Sequence, residues 1–565
     1  MWPLRPNSQW EARHLVTPPF SIPFPFRGAW PSPLHWGPGQ HCWGPAPGEA
    51  PRPAPKRLGV ESGPGTPKGE SESVTKNFNH ANSDPGALGG ASGLRLQRTT
   101  KKTRKNKRTR IVKKIDGEKV VIEPLNAWAQ LLVGLDELHR YGGGAIEGRA
   151  VVQRTDIVRL LLNVEQEELL RHIGDQTARL INMENYRRRQ IFYAKRGIDT
   201  GVKVARELAK TKAEYREVKE VLGSKNFDET LRKVAEAWKS FAELLKEKKK
   251  GKLPLWLNPK PPGYRKMDGT RIPIIIVRAD NYRIDAERKV IHLGYLNISI
   301  QFTGKLRWLA KPGAKRGRME ITYDPVKKRW YAHISVEVKI ERSSGNGIMG
   351  IDLGREVLVA TVTSGGEALL YKGKVLKSDY YYFEKKIAAI DSALSKLEEV
   401  DRNALAEERR RLFEKRRKRR DQIFANIASH LARFAREHSI GAVFIGYPWN
   451  ISQKKGNKGN TNLWGYGKLV IRLALTLENY GIAAFAVNED NTSKKCAYHN
   501  IDIKREPRGL IRCPHGHTIH SDVNAALNIM LRGLRLLGIE AELPKHIKVL
   551  SFLATPSKTI PIKAP

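Results

Sequence analysis

The chain has 565 residues, with 101 Lys plus Arg against 58 Asp plus Glu and a net charge of +43, a length that predicts more than one domain. An excess of that size exceeds what solubility needs and predicts a polyanionic partner, nucleic acid ahead of an anionic membrane surface. No apolar run is long enough to span a bilayer, the opening "MWPLRPNSQWEARHLV" does not read as a signal peptide, and Cys42, Cys496 and Cys513 are too few for a disulfide framework, so a reducing cytoplasm, on the nucleoid, is expected.

Residues 1–110 predict a disordered extension. "PSPLHWGPGQHCWGPAPGEAPRPAP" has no period that could build a core, and a start codon placed too far upstream would also produce such a stretch. "RLQRTTKKTRKNKRTRIVKK", residues 95–114, holds eleven Lys or Arg and no acid. It reads as a solvated arm able to contact phosphates. Residues 111–150 are assigned to a linker.

Order is expected from Val151. "AVVQRTDIVRLLL" predicts a strand pair or one bent strand. Asn163, with Gln166 three residues on, predicts a capping box. Leu169, Leu170, Ile173, Leu180 and Ile181 then form a helical stripe, and helix continues to about residue 248. Pro254, Pro259, Pro261 and Pro262 break it. Alternating runs from about 270 to 340, with a turn at Asp324-Pro325, predict a small antiparallel barrel or sandwich. From Ile348 come a β-hairpin, a long helical hairpin, strand 441–447, helix 465–480, strand 483–489, a Cys/His segment and helix 522–536. Strands with interposed helices predict a mixed α/β sheet with a parallel part.

The basic run "RRRLFEKRRKRR" lies in the helical hairpin. A solvated helix face is its ordinary meaning. In so basic a chain, Arg409, Arg410, Arg416, Arg417, Lys418, Arg419 and Arg420 are candidates for a nucleic-acid surface.

"GIDLG" sets Asp352 in an apolar strand, where an unpartnered carboxylate is costly. It is a strand-end carboxylate capped by backbone or a metal ligand. "SDVNAALNI" sets Asp522 in the first turn of a helix, a position that favours Asp for helix reasons alone. Between them, Cys496-x-x-His499 is followed by Cys513, His515 and His517. Two close pairs of such ligands suit a tetrahedral structural Zn2+. His517 is taken as the fourth ligand, with His515 as the alternative.

Together "EQEELLRHIG", "GIDLG", "NEDNTSKKC" and "RCPHGHTIHSDVNAALNI" resemble the TnpB family, also called OrfB of insertion sequences: transposon-encoded RNA-guided nucleases related to type V CRISPR effectors and to Fanzor proteins. The resemblance covers roughly residues 151–536. It implies a multi-domain α/β protein. A wedge β-barrel (151–162 and 255–345) would carry a helical recognition insert (163–254). An RNase H-like (RuvC) nuclease domain (346–493 and 518–540) would be interrupted by a zinc ribbon (494–517). A C-terminal tail, 541–565, would follow.

The resemblance also implies catalysis through Mg2+ or Mn2+, held by about three carboxylates. The first maps to Asp352 and the last to Asp522. The middle glutamate usually ends the fourth strand, where this chain has Gly446 in "GAVFIGYPWN". A subset of relatives, and Fanzor proteins, carry it about one strand later, which here is Glu489, 43 positions on. On that reading Gly446 and Glu489 sit at corresponding ends of neighbouring strands, ~5 Å apart, and the glycine leaves the path of Glu489 open.

The implied function is a guide-RNA-directed, metal-dependent endonuclease acting on double-stranded DNA. The alternatives are a nuclease-inactive RNA-guided DNA-binding protein of repressor type, or a transposition accessory protein. No His-hydrophobe-His motif with a catalytic tyrosine supports strand transfer. Guide RNA and target DNA are the expected partners, no membrane is expected, and the oligomeric state is left open.

Overall fold

A computed structural model of the chain describes residues 111–115, 118–134, 149–251, 253, 257–266, 272–396, 402–448, 465–504, 509–540 and 542–562. The expected disordered extension, residues 1–110, lies outside them. Among the described residues two large sheets organise the chain.

The first sheet comprises β3 (Arg149–Leu161), β4 (Ile274–Val277), β5 (Tyr282–Asp285), β6 (Val290–Leu293), β7 (Ile298–Thr303), β8 (Lys315–Asp324) and β9 (Arg329–Glu341), in the order β4-β8-β9-β3-β7-β6-β5. Its two edges, β4 and β5, follow each other in the chain with only the turn Ala279–Asn281 between them, so the sheet is rolled nearly into a barrel. "AVVQRTDIVRLLL" is one strand, not two. Arg149–Arg159 pair with β9, and Arg159–Leu161 pair with β7. Period 2 governs β9: Trp330, Ala332, Ile334, Val336, Val338 and Ile340 are buried on one face. The Asp324 carboxylate accepts the N–H groups of Val326 and Lys327 and closes the β8–β9 turn.

Between β3 and β4 run α2 (Val164–Tyr193), α3 (Lys203–Thr211), α4 (Ala213–Leu222) and α5 (Ser224–Lys249). The capping box is formed as expected: Asn163 Oδ1 accepts Gln166 N–H at 2.8 Å and Gln166 Oε1 accepts Asn163 N–H at 3.3 Å.

The second sheet has its centre in β10 (Gly347–Asp352), β11 (Val357–Thr363), β12 (Glu367–Lys372), β13 (Ile440–Tyr447) and β14 (Ala483–Asn488). Strands β10, β11 and β12 are antiparallel; β13 lies parallel beside β10, and β14 parallel beside β13. The sheet extends further than the sequence suggested. β1 (Ile111–Ile115) and β2 (Glu118–Pro124) add beyond β14, while β15 (Lys548–Ala554) and β16 (Thr559–Ile562) add beyond β12. Within the segments assigned as linker (111–150) and tail (541–565), residues 111–115, 118–124, 548–554 and 559–562 are therefore strands at the two ends of this sheet. Each pair is a short hairpin that joins the sheet through β14 or β12, partners far away in the chain, so local sequence does not announce it.

Helices α6 (Lys374–Leu394), α7 (Arg402–Glu437) and α8 (Tyr466–Glu478) cover one face, on Met349, Ile351, Val443, Ile445, Ala484 and Ala486. On the other face α9 (Ser521–Leu537) packs against Phe444, Phe485 and Val487. α1 (Ala127–Gly134) abuts β14 and α8: Glu478 Oε1 accepts Ala127 N–H at 2.7 Å, and Arg154 from β3 pairs with Glu478 Oε2 at 2.6 Å. No described helix is long and apolar enough to cross a membrane.

Candidate active site and metal centre

Asp352 ends β10. Ile351 is registered with Ile445 of β13, so Asp352 lies beside Gly446, and Gly446 is registered with Val487 of β14. Alternation puts Asp352, Gly446 and Val487 on the α9 face. Glu489 comes just after Asn488, the last residue of β14.

The register corrects one expectation. Glu489 is not opposite Gly446 but two residues further along, about 7 Å on. Nor does the glycine clear a path for it: a Cβ at 446 would stand 2.5 Å from Ile529 Cδ1 of α9. Close helix–sheet contact explains the residue. The same contact recurs at Gly350, where a Cβ would meet the Ala526 carbonyl at 2.1 Å, and at Gly533, where it would meet the Phe444 ring at 2.3 Å.

Burial first, then the charges of Asp352 and Asp490, push the Glu489 carboxyl up to about 8. The residue as a whole is half-buried, yet its Oε2 is enclosed and has no hydrogen-bond partner. The atom's own surroundings decide its charge, so the carboxyl is protonated at neutral pH unless a cation joins it. An enclosed, partnerless oxygen beside a second carboxylate is an all-oxygen donor pair that fits a hard divalent cation.

Asp522 is the second residue of α9. Its N–H donates to His520 Nδ1 at 3.2 Å, and Ser521 Oγ donates to its Oδ1 at 3.2 Å. Burial lowers the His520 pKa, which keeps Nδ1 free to accept. The structure thus brings Glu489 to Asp352 and holds Asp522 at the helix N-terminus. Among the described residues one other group of potential ligands comes together.

That group is Cys496, His499, Cys513 and His517, with one ligand atom from each mutually within 4.8 Å. Two tight turns present the pairs. In the first, Cys496 N–H donates to Ile501 O and its carbonyl accepts Asn500 N–H, with Asn500 at φ +54°. In the second, Cys513 N–H donates to His517 O and its carbonyl accepts Gly516 N–H, with Gly516 at φ +90°. His499 Nδ1 lies 3.8 Å from Cys496 Sγ and 3.2 Å from Cys513 Sγ. His517 Nδ1 is buried without a hydrogen-bond partner, as a nitrogen kept for a metal would be. The His515 ring is 4.4 Å from that of His499, but His515 is outside the four-ligand group. Two thiolates and two imidazoles within this radius suit tetrahedral Zn2+.

The basic run of α7 is mostly engaged within the protein. Arg409 pairs with Asp391, Arg416 with Glu384, Lys418 with Glu414, and Arg420 with Asp421. Arg419 grips Asp379 with two hydrogen bonds at 2.7 and 2.9 Å, and Arg410 Nε donates to Ala406 O. Most of these side chains thus bind the α6–α7 hairpin and their own helix, a role that charge density alone cannot separate from phosphate contact. Sequence reasoning also stopped at Asp522 and missed Asn524, Asn528 and Arg532 further along α9. Their spacing of four was the available signal.

The family described as "Probable transposase" (OrfB of IS605) matches residues 333–452, and the "Cas12f1-like, TNB domain" matches residues 466–529. The chain is 39% identical over 438 residues to the TnpB-like protein ORF457 of Acidianus two-tailed virus, covering 73% of this chain and 92% of that protein. It is 26% identical over 223 residues to a CRISPR-associated endodeoxyribonuclease Cas12f1 of an uncultured archaeon, covering 36% and 41% respectively. A solved Cas12f1–sgRNA–target DNA complex aligns with 66% of this chain and 83% of its own at 19% identity, with a TM-score of 0.45. With that extent of identity to a TnpB-like protein, the chain belongs to the TnpB (OrfB) family.

Proposed function

We propose that this protein is an RNA-guided DNA endonuclease that depends on Mg2+ or Mn2+, with Asp352, Glu489 and Asp522 as its catalytic carboxylates. The observation that carries the reading is Glu489, whose enclosed Oε2 beside Asp352 has no hydrogen-bond partner and would find one in a divalent cation. We read β10–β14 as an RNase H-like (RuvC) nuclease sheet, the near-barrel sheet as the wedge, α2–α5 as the recognition insert and the Cys/His group as a structural zinc ribbon.

A cation bound here would lower the pKa of a water and stabilise the leaving oxygen of a phosphodiester. Glu489 must release its proton to bind, and Asp352 supplies the second oxygen. Asp522 is held by His520 and Ser521 at the α9 N-terminus, ready to complete the set as nucleic acid enters. The net charge of +43 supports guide RNA and double-stranded DNA as partners, and the protein would act in the cytoplasm, on the nucleoid.

A second reading, an RNA-guided DNA binder without chemistry, draws on Asp522, which is held by His520 and Ser521 of its own helix start. One assay separates the two. Purified protein with its co-expressed flanking RNA is given a plasmid library with randomised flanks, in Mg2+. Wild type should cut; Asp352→Ala and Glu489→Ala should bind RNA and DNA without cutting. Cleavage by Glu489→Ala would sink the assignment of that residue, and RNA-dependent binding with no cleavage by wild type would establish the second reading.

A further inference from the structure

Helix α9 carries Asn524, Asn528 and Arg532 at intervals of four, so their side chains form one row along the helix. The row faces residues 488–497, the segment leading from the end of β14 to the first zinc-site turn. Arg532 Nη1 donates to the carbonyls of Asn488 and Asp490, both at 2.8 Å, on either side of Glu489. Asn528 Nδ2 donates to Thr492 O and Lys495 O, both at 2.8 Å. Asn524 Nδ2 donates to Lys495 O at 2.8 Å, while its Oδ1 accepts Ala497 N–H at 3.0 Å.

The segment needs these partners. It has left the sheet, and Asn491 turns it at φ +60°. Glu489's own carbonyl is taken by Thr492, through N–H at 3.2 Å and Oγ1 at 2.9 Å. Three successive carbonyls, 488 to 490, are therefore tied down around a side chain with three rotatable bonds. Because Asp522 lies in the first turn of α9 and the row along that helix holds the Cys496 turn and the backbone around Glu489, one helix sets the position of both carboxylates and of the zinc group.

We infer that Arg532 is a positioning residue: it fixes the backbone on both sides of Glu489 so that the carboxylate meets the cation, while Asn524 and Asn528 anchor the same segment to the zinc-site turn. This rests on the reading of Glu489 as a cation ligand. Groups that orient a metal ligand without touching the metal typically matter about 10- to 100-fold in affinity or activity. Arg532→Met keeps the apolar stem and removes both the donors and the positive charge, whereas Arg532→Lys keeps the charge and loses the forked donor geometry.

The test uses the full chain with its co-expressed RNA and follows Mg2+ titrations by cleavage and, separately, by thermal stabilisation of the protein. Arg532→Met should raise the Mg2+ midpoint about 10- to 100-fold in both readouts, with cleavage largely restored at saturating Mg2+. Arg532→Lys should recover part of the shift, and RNA binding and zinc content should equal wild type. An unchanged midpoint in Arg532→Met would overturn the inference. So would loss of RNA and zinc together with cleavage, which would make Arg532 a support of the fold as a whole. Glu489→Gln is run alongside: if it cuts and responds to Mg2+ like wild type, the ligand reading itself has failed and the inference falls with it.

Discussion

Replacing Glu489 with Gln should remove a loss of stability that the wild-type protein suffers as pH rises. In the folded protein the carboxyl titrates at about 8, against 4.5 for a free glutamate. A group that holds its proton more tightly when folded costs stability as pH rises. The cost begins above the unfolded value of 4.5, grows through neutrality and is complete above about 8. At about 1.4 kcal/mol per pH unit of separation the ceiling is about 5 kcal/mol, and solvent reaching the half-buried residue brings the expected figure to about 2–4 kcal/mol. Gln keeps the shape and cannot ionise. In Mg2+-free buffer, urea denaturation from pH 5 to 9 should show Glu489→Gln close to wild type at pH 5, increasingly more stable up to about pH 8 and level beyond it. Mg2+ should restore wild type at pH 8 and leave the variant unchanged, since binding replaces the proton. Parallel stability curves for the two proteins, or equal stabilisation of both by Mg2+, would refute the argument that this carboxyl is buried for a cation.

At the helix–sheet contact, Gly350→Ala should destabilise well beyond the ordinary overpacking cost of about 1–3 kcal/mol, since its Cβ would meet a backbone carbonyl at 2.1 Å. Gly446→Ala should stay within that range because the obstacle, Ile529 Cδ1, is the end of a movable side chain; denaturation midpoints that rank the two the other way would contradict this packing. His517→Ala should lose bound zinc by elemental analysis while His515→Ala keeps it, and equal zinc in both would dissolve the four-ligand assignment. Glu478→Ala should cost about 3–5 kcal/mol by leaving a buried arginine unpaired, because Arg154 and Glu478 side chains are only 10% and 4% exposed. A loss below about 1 kcal/mol in urea melts would show that water reaches the pair.

Much of this protein is written locally and so could be read without coordinates. The Asn163 capping box, the alternation of β9, the Asp324 turn and the Cys/His spacing each depend on neighbours within a few residues. The two pieces of chain that close the central sheet were invisible: β2 reads as a short apolar run, and only pairing with β14 makes it a strand. The arginines of α7 were legible as charge but not as partners, because Asp379 and Glu384 become neighbours only when the hairpin folds. The site divides in the same way. Residue type and spacing pointed to the zinc ligands, and the resemblance to the TnpB family pointed to Asp352, Glu489 and Asp522. That Glu489 lies beyond the Gly446 row, that Ile529 fills the space above that glycine, and that Arg532 grips the carbonyls flanking the glutamate follow from strand register and from how closely α9 approaches the sheet. Such quantities belong to pairs of residues far apart in the chain, and only packing brings them together.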